Sequence, residues 1–247
     1  MKRASFIAKD SDVDQLMQFG GFPEPFLKGD KRHWNRWQKE RSARVFRDDL
    51  TSLENVKDIS QLELLSELLI PRIGSLLSIN SLREDLHCSH DAVSRWLTIL
   101  ENLYVIYRLK PYGASTIKAL QKEAKLFFWD WSLSTSKGAC FENMMAGHLL
   151  KYCHLKNDSE GSNLELMYLR DKEKREVDFV VVHKTTPLFA VECKTGAKQI
   201  SPHIKYFAER TNIPKFYQVH LGKEHFVHNE TRTEVVPFVK FCCDLGL

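Results

Sequence analysis

Asp178, Glu192 and Lys194 are charged residues set on two adjacent apolar runs, a place where a buried strand normally carries none. The runs, Glu176-Val-Asp-Phe-Val-Val-Val182 and Leu188-Phe-Ala-Val-Glu-Cys-Lys194, are joined by His183-Lys-Thr-Thr-Pro187. Val, Phe and Ala around a Thr-Pro turn predict a β-hairpin. Side chains alternate along a strand, so Glu192 and Lys194 share one face and Cys193 takes the other. On the first strand the same rule groups Asp178 with Val180 and Val182. A charge buried on a sheet is unfavourable unless it is paired or binds a cation. One Asp, one Glu and one Lys converging across a hairpin therefore suggest a divalent-metal site. The alternative is a buried carboxylate–lysine pair with no metal.

Mg²⁺ or Mn²⁺ is the ion such a set would take, through one or two carboxylates with water completing the shell. Asp178 and Glu192 suit the ligand role, and hydrolysis of a phosphodiester is the chemistry such an ion supports. Lys194 would orient the attacking water and offset negative charge as it develops. Spacing alone is weak evidence. Two acid-x-Lys triplets occur, Glu123-Ala-Lys125 and Glu192-Cys-Lys194, no more than chance supplies. The hairpin setting distinguishes the second. Upstream, in Gly138-Ala-Cys-Phe-Glu-Asn143, helical spacing aligns Glu142 with Met145, Ala146 and Leu149. Glu142 should then face the sheet as a direct or water-mediated third ligand.

The Asp178, Glu192-x-Lys194 arrangement, with Glu142 on the preceding helix, resembles the PD-(D/E)XK nuclease superfamily, with Val177 where the usual Pro would precede the Asp. A longer series of phrases is similar to the uncharacterised C-terminal region of prokaryotic AAA-type ATPases. These are Gly20-Gly-Phe-Pro-Glu-Pro-Phe-Leu27, Leu69-Ile-Pro-Arg-Ile-Gly-Ser75, Lys125-Leu-Phe-Phe-Trp-Asp130, Gly138 to Asn143, Arg175 to Phe179 and Val191 to Lys194. The resemblance covers roughly residues 15 to 240. It implies a winged-helix segment followed by a restriction-endonuclease-like domain, and an ATPase as partner or neighbouring domain. No Gly-x-x-x-x-Gly-Lys-Ser/Thr occurs, so this sequence carries no ATP site of the phosphate-loop type.

The elements that would hold this site can be read from periodicity. Residues 11 to 70 are helical, with a basic amphipathic helix over Trp34–Leu50 and another helix, from Gln61, ending at Pro71. Residues 71 to 110 read as a helix-turn-helix with a wing. Ser81-Leu-Arg-Glu84 is a capping-box signature, Ser89 caps a helix with Val93, Trp96, Leu97 and Leu100 along one stripe, and Tyr104–Leu109 alternates as a strand. Beyond Pro111 the order is strand (126–130), helix (139–152), strand (164–170), hairpin (176–195), helix (201–210), strand (215–219) and a closing strand and helix. This is an α/β fold: an N-terminal helical and winged-helix region (1–110), then a mixed sheet flanked by helices (111–247). If the winged helix touches DNA, the second helix offers Arg95 as its one firm cation, and Lys198 and Gln199 could reach a phosphate beside the catalytic strand.

Composition fits a cytoplasmic globular protein. Of 247 residues 43% are hydrophobic, with a net charge of +4, which permits DNA binding without demanding it. No run reaches the ~18 apolar residues of a membrane span. The six cysteines contain no Cys-x-x-Cys, and His87-Cys-Ser-His90 lacks a second ligand pair. Free, mostly buried thiols are expected. Two function classes stay open: a Mg²⁺-dependent DNA-cleaving enzyme, compatible with homo-oligomerisation, or a non-catalytic regulatory module on the same fold.

Overall fold

A computed structural model describes residues 10–46, 59–113, 124–196 and 199–247. Helices dominate the first part: α1 (Asp10–Phe19), α2 (Pro23–Lys28), α3 (Lys31–Arg44) and α4 (Ile59–Leu69). The basic helix expected over Trp34–Leu50 thus begins earlier, where Asp30 accepts a hydrogen bond from the His33 N–H at 2.7 Å. Its expected C-terminal end lies partly outside the described residues. Gly20 and Gly21 allow the α1–α2 turn to lie against Asp130, Trp131 and Ser132, where a Cβ would collide. Gly20 also has φ +81°.

The helix-turn-helix consists of α5 (Ile79–Asp85) and α6 (His90–Asn102). Ser78 rather than Ser81 caps α5, its hydroxyl accepting from the Ser81 N–H at 3.2 Å; the cap therefore sits three residues before the capping-box reading. Ser89 caps α6 as expected, accepting from the Ala92 N–H at 3.1 Å. Val93, Trp96, Leu97 and Leu100 are buried with Leu62, Leu65 and Leu69 of α4.

The wing strands are β1 (Ile106–Pro111) and β2 (Lys125–Phe128), antiparallel to one another. They do not stand apart. β1 also runs parallel to β3 (Leu164–Arg170), so one sheet crosses the segment where turn formers cluster. After α7 (Lys137–Glu160) come β3, β4 (Glu176–His183), β5 (Thr186–Lys194), α8 (Pro202–Arg210), β6 (Phe216–His220), β7 (Phe226–His228), β8 (Thr233–Pro237) and α9 (Phe238–Leu245). Among the described residues the sheet has eight strands, ordered β2-β1-β3-β4-β5-β6-β8-β7. Parallel and antiparallel pairs mix, and α7 and α8 contribute to separate apolar clusters on the two faces. The mixed α/β architecture matches the sequence reading. Among the described residues no helix is long and apolar enough to cross a membrane. The six cysteines are free, three of them buried.

Candidate active site at a strand fork

β4 and β5 pair from His183–Thr186 to Phe179–Val191, and the ladder ends there. Asp178 and Glu192 are the next residues along, at the point where the strands part. On the β3 side, β4 carries one extra residue: Met167 pairs with Val180 and Leu169 with Val177, leaving Asp178 and Phe179 opposite Tyr168. A bulge of this kind redirects side chains. Val177, Val180 and Val182 consequently all pack on the α8 side, while Phe179 packs with α7. This corrects the strict alternation that placed Asp178 on one face with Val180 and Val182. Asp178 instead turns into the fork, where its Oδ2 accepts the Cys193 backbone N–H at 2.8 Å.

Glu142 reaches the fork from α7, as its helical spacing required. Asn143 keys α7 to edge strand β2: its amide accepts from Phe128 N at 2.9 Å and donates to Phe128 O at 2.7 Å. That lock sets Glu142 beside Lys125. Lys125 was missed as a site residue, yet its ammonium lies at the centre of the acids. It is 2.9 Å from Glu142 Oε1, 2.6 Å from Glu176 Oε1 and 3.9 Å from Asp178 Oδ1. Only 2% of Lys125 is exposed. Its ammonium also lies 5.9 Å and 5.8 Å from the ring centres of Phe127 and Tyr168. Arg170 holds the other Glu176 oxygen at 2.7 Å. Gly74, at φ +75°, closes over Glu142, where a Cβ would come within 3.2 Å of Oε1.

On the other side of the fork, Glu192 is 3% exposed. Its Oε1 takes hydrogen bonds from Lys194 at 2.7 Å and the Ser201 hydroxyl at 3.1 Å. Its Oε2 is buried with no partner in the structure. A buried unpaired carboxylate oxygen is costly and needs a partner, which an ion, a water or a proton can supply. Gln218 supports this side, accepting from Ser201 N at 2.8 Å and donating to the Gln199 carbonyl at 2.9 Å. Gln199 itself is exposed; Lys198 lies outside the described residues. Arg95 is exposed on α6.

Burial, reinforced by Asp178 and outweighing Lys125, pushes the Glu142 carboxyl up to about 8. Burial and then Asp178 push Glu192 up to about 7 against Lys194 and Ser201. Asp178 is raised by burial, opposed by Lys125 and the Cys193 N–H. Burial acts to lower the Lys125 ammonium, but Glu142, Asp178 and Glu176 together hold it raised. Folding thus binds extra protons at Glu142 and Glu192 between the ordinary carboxylate range and these values. These two carboxyls therefore contribute a stability that is lost as pH rises from about 4.5 to about 8, while His148 and His220, held below the ordinary imidazole range by burial, act in the opposite direction. The raised lysines keep their protons throughout that window and leave the slope unchanged. Glu142→Gln retains a partner for Lys125 and removes one titration. Its Tm should therefore fall less than wild type between pH 5 and pH 8. Equal slopes would mean that Glu142 is not held protonated.

A hard cation at the fork would be held by two carboxylates, through Asp178 and the free oxygen of Glu192. The fork does not gather three ready ligands: Glu142, expected as a third, is bonded to Lys125. Among the described residues no group of three or more His, Cys, Asp or Glu is placed to hold a metal.

The first half of the chain matches a family described as a domain of unknown function (DUF8612), over residues 10–138, just over half of the 247. The chain belongs to this family. Residues 137–241 match a second domain of unknown function (DUF4143), which contains α7, the fork and β8. The DUF8612 match holds the winged-helix elements and Lys125, so the site draws side chains from both matched regions. A relative, the uncharacterized protein MJ1544 of Methanocaldococcus jannaschii, is 25% identical over 93% of this chain. The chain spans 55% of that relative's length. No solved structure matches.

Proposed function

We propose that the fork is the active site of a metal-dependent, PD-(D/E)XK-like nuclease acting on DNA. The observation that carries this reading is the buried, unpartnered Oε2 of Glu192, set beside Asp178 where β4 and β5 part. A divalent ion there would polarise the scissile phosphate and acidify a water. Asp178 and Glu192 would hold it. Lys194, half-exposed and fixed by Glu192, can orient the attacking water and meet charge that develops on the phosphate. Cleavage of DNA in Mg²⁺ or Mn²⁺, absent in EDTA, is the test; an inactive wild type across duplex, branched and single-stranded substrates would contradict it.

A polyanionic substrate is supported by α3. Its sequence holds six cations against one carboxylate, and no residue of it is buried. Polar anchors fasten it instead: Trp34 Nε1 donates to Ser132 Oγ at 3.0 Å and Gln38 to Asp130 at 2.6 Å. Arg32, Arg36 and Lys39 are exposed at helical spacing, with no ion pair among the described residues. Duplex binding measured in EDTA should weaken steeply with salt. Replacing these three by Ala should make the slope of log K against log[salt] shallower by up to about 2.7. An unchanged slope would remove α3 from the interface.

A second reading has its own observation. Lys125 with Glu142 and Glu176, and Lys194 with Glu192, neutralise much of the cluster internally. Such a set also suits a non-catalytic module working beside an ATPase, the partner implied by the resemblance to ATPase C-terminal regions.

A further inference from the structure

We infer that Lys125 permanently fills one of two cation positions at the fork, so that the site admits a single divalent ion. The inference rests on the nuclease reading above and concerns how many ions that site takes. Two-metal hydrolases place their ions about 3.5–4 Å apart, with carboxylates arranged to serve both. Here Asp178 adjoins Lys125 on one side and, across the parting strands, Glu192 on the other. On one side lies Lys125 Nζ, 3.9 Å from Asp178 Oδ1, with Glu142 at 2.9 Å and Glu176 at 2.6 Å. On the other lies the unpartnered oxygen of Glu192, nine-tenths buried and more. The first position is saturated: a monovalent ammonium donates to two carboxylates beside the Phe127 and Tyr168 rings, with Gly74 closing over Glu142. The second retains an acceptor with nothing to accept. Lys125 is thereby a positioning residue. It balances Glu142 and Glu176, leaving Asp178 and Glu192 to the incoming ion, and it gives one of the two positions a charge of one rather than two.

The distinction is measurable without turnover. Mn²⁺ titration of the full chain at pH 7.5, followed by electron paramagnetic resonance with no nucleic acid present, should count one ion and show no spin-coupled pair. Lys125→Met should count two, with a coupled signal. Glu142→Gln should still bind one ion within about threefold of the wild-type affinity, whereas a carboxylate that ligates or directly supports the ion would cost about 10–100-fold. This second variant decides the matter even where Lys125→Met does not fold. Two coupled ions in the wild type, one ion in folded Lys125→Met, or a tenfold loss in Glu142→Gln would each overturn the inference and leave a metal site standing. No ion bound by the wild type would instead overturn the metal reading of Asp178 and Glu192.

Discussion

Replacing Lys125 with Met is expected to lower stability by about 3–5 kcal/mol, because it strands buried carboxylates that share one ammonium. For a chain of this size that corresponds to a Tm lower by roughly 6–20 °C. Met keeps most of the apolar stem between Phe127 and Tyr168, so the loss isolates the charge. The pH dependence gives the expectation its shape. Near pH 5 Glu142 and Glu192, raised to about 8 and about 7, hold protons and need the cation less. Near pH 8 Glu142, Glu176 and Asp178 would repel one another without it. The difference between variant and wild type should therefore be larger at pH 8 than at pH 5. Thermal melts at both values check this. A loss below about 1 kcal/mol, or one larger at the lower pH, would mean that Lys125 is not the counter-charge of the cluster.

Much of this arrangement was legible in the chain. β3 emerged with the bounds Leu164–Arg170, and the β4–β5 hairpin with its Glu192–Lys194 pair followed from the two apolar runs, although the turn is Lys184-Thr185 and the Thr186-Pro187 pair belongs to β5. Glu142 faced the sheet because helical spacing tied it to Met145 and Leu149, both fully buried. Three features were not legible, for physical reasons. The bulge at Asp178–Phe179 depends on pairing with β3 and leaves no mark in local composition. Ser78 wins the α5 cap from Ser81 by one helical turn, a choice that tertiary packing makes. Lys125 lies in a triplet that chance supplies, and its partners stand 17 to 53 positions further along the chain. A signal was present nonetheless, since Lys125 opens the otherwise apolar Leu-Phe-Phe run and a lysine there must find carboxylates.

The second large effect concerns activity rather than stability. Asp178→Asn keeps an oxygen that can accept the Cys193 N–H, so the fork should hold its shape and Tm should move little. A neutral amide is a poor ligand for a hard cation, and cleavage should become undetectable. Lys194→Ala removes a half-exposed side chain from Glu192, which keeps the Ser201 hydroxyl. Its cost in rate should be about 10²-fold or more. Were the fork purely structural, the order would invert: Lys194→Ala would lower Tm more than Asp178→Asn does, with no activity to lose.

Nicking of supercoiled plasmid DNA by purified wild type and Asp178→Asn, side by side in Mn²⁺ and in EDTA, tests the central proposal most directly. Cleavage by the wild type in Mn²⁺ alone, with none by the equally stable variant, is the result the fork geometry leads to. An inert wild type, or an Asp178→Asn protein that cleaves as fast as the wild type, would contradict it.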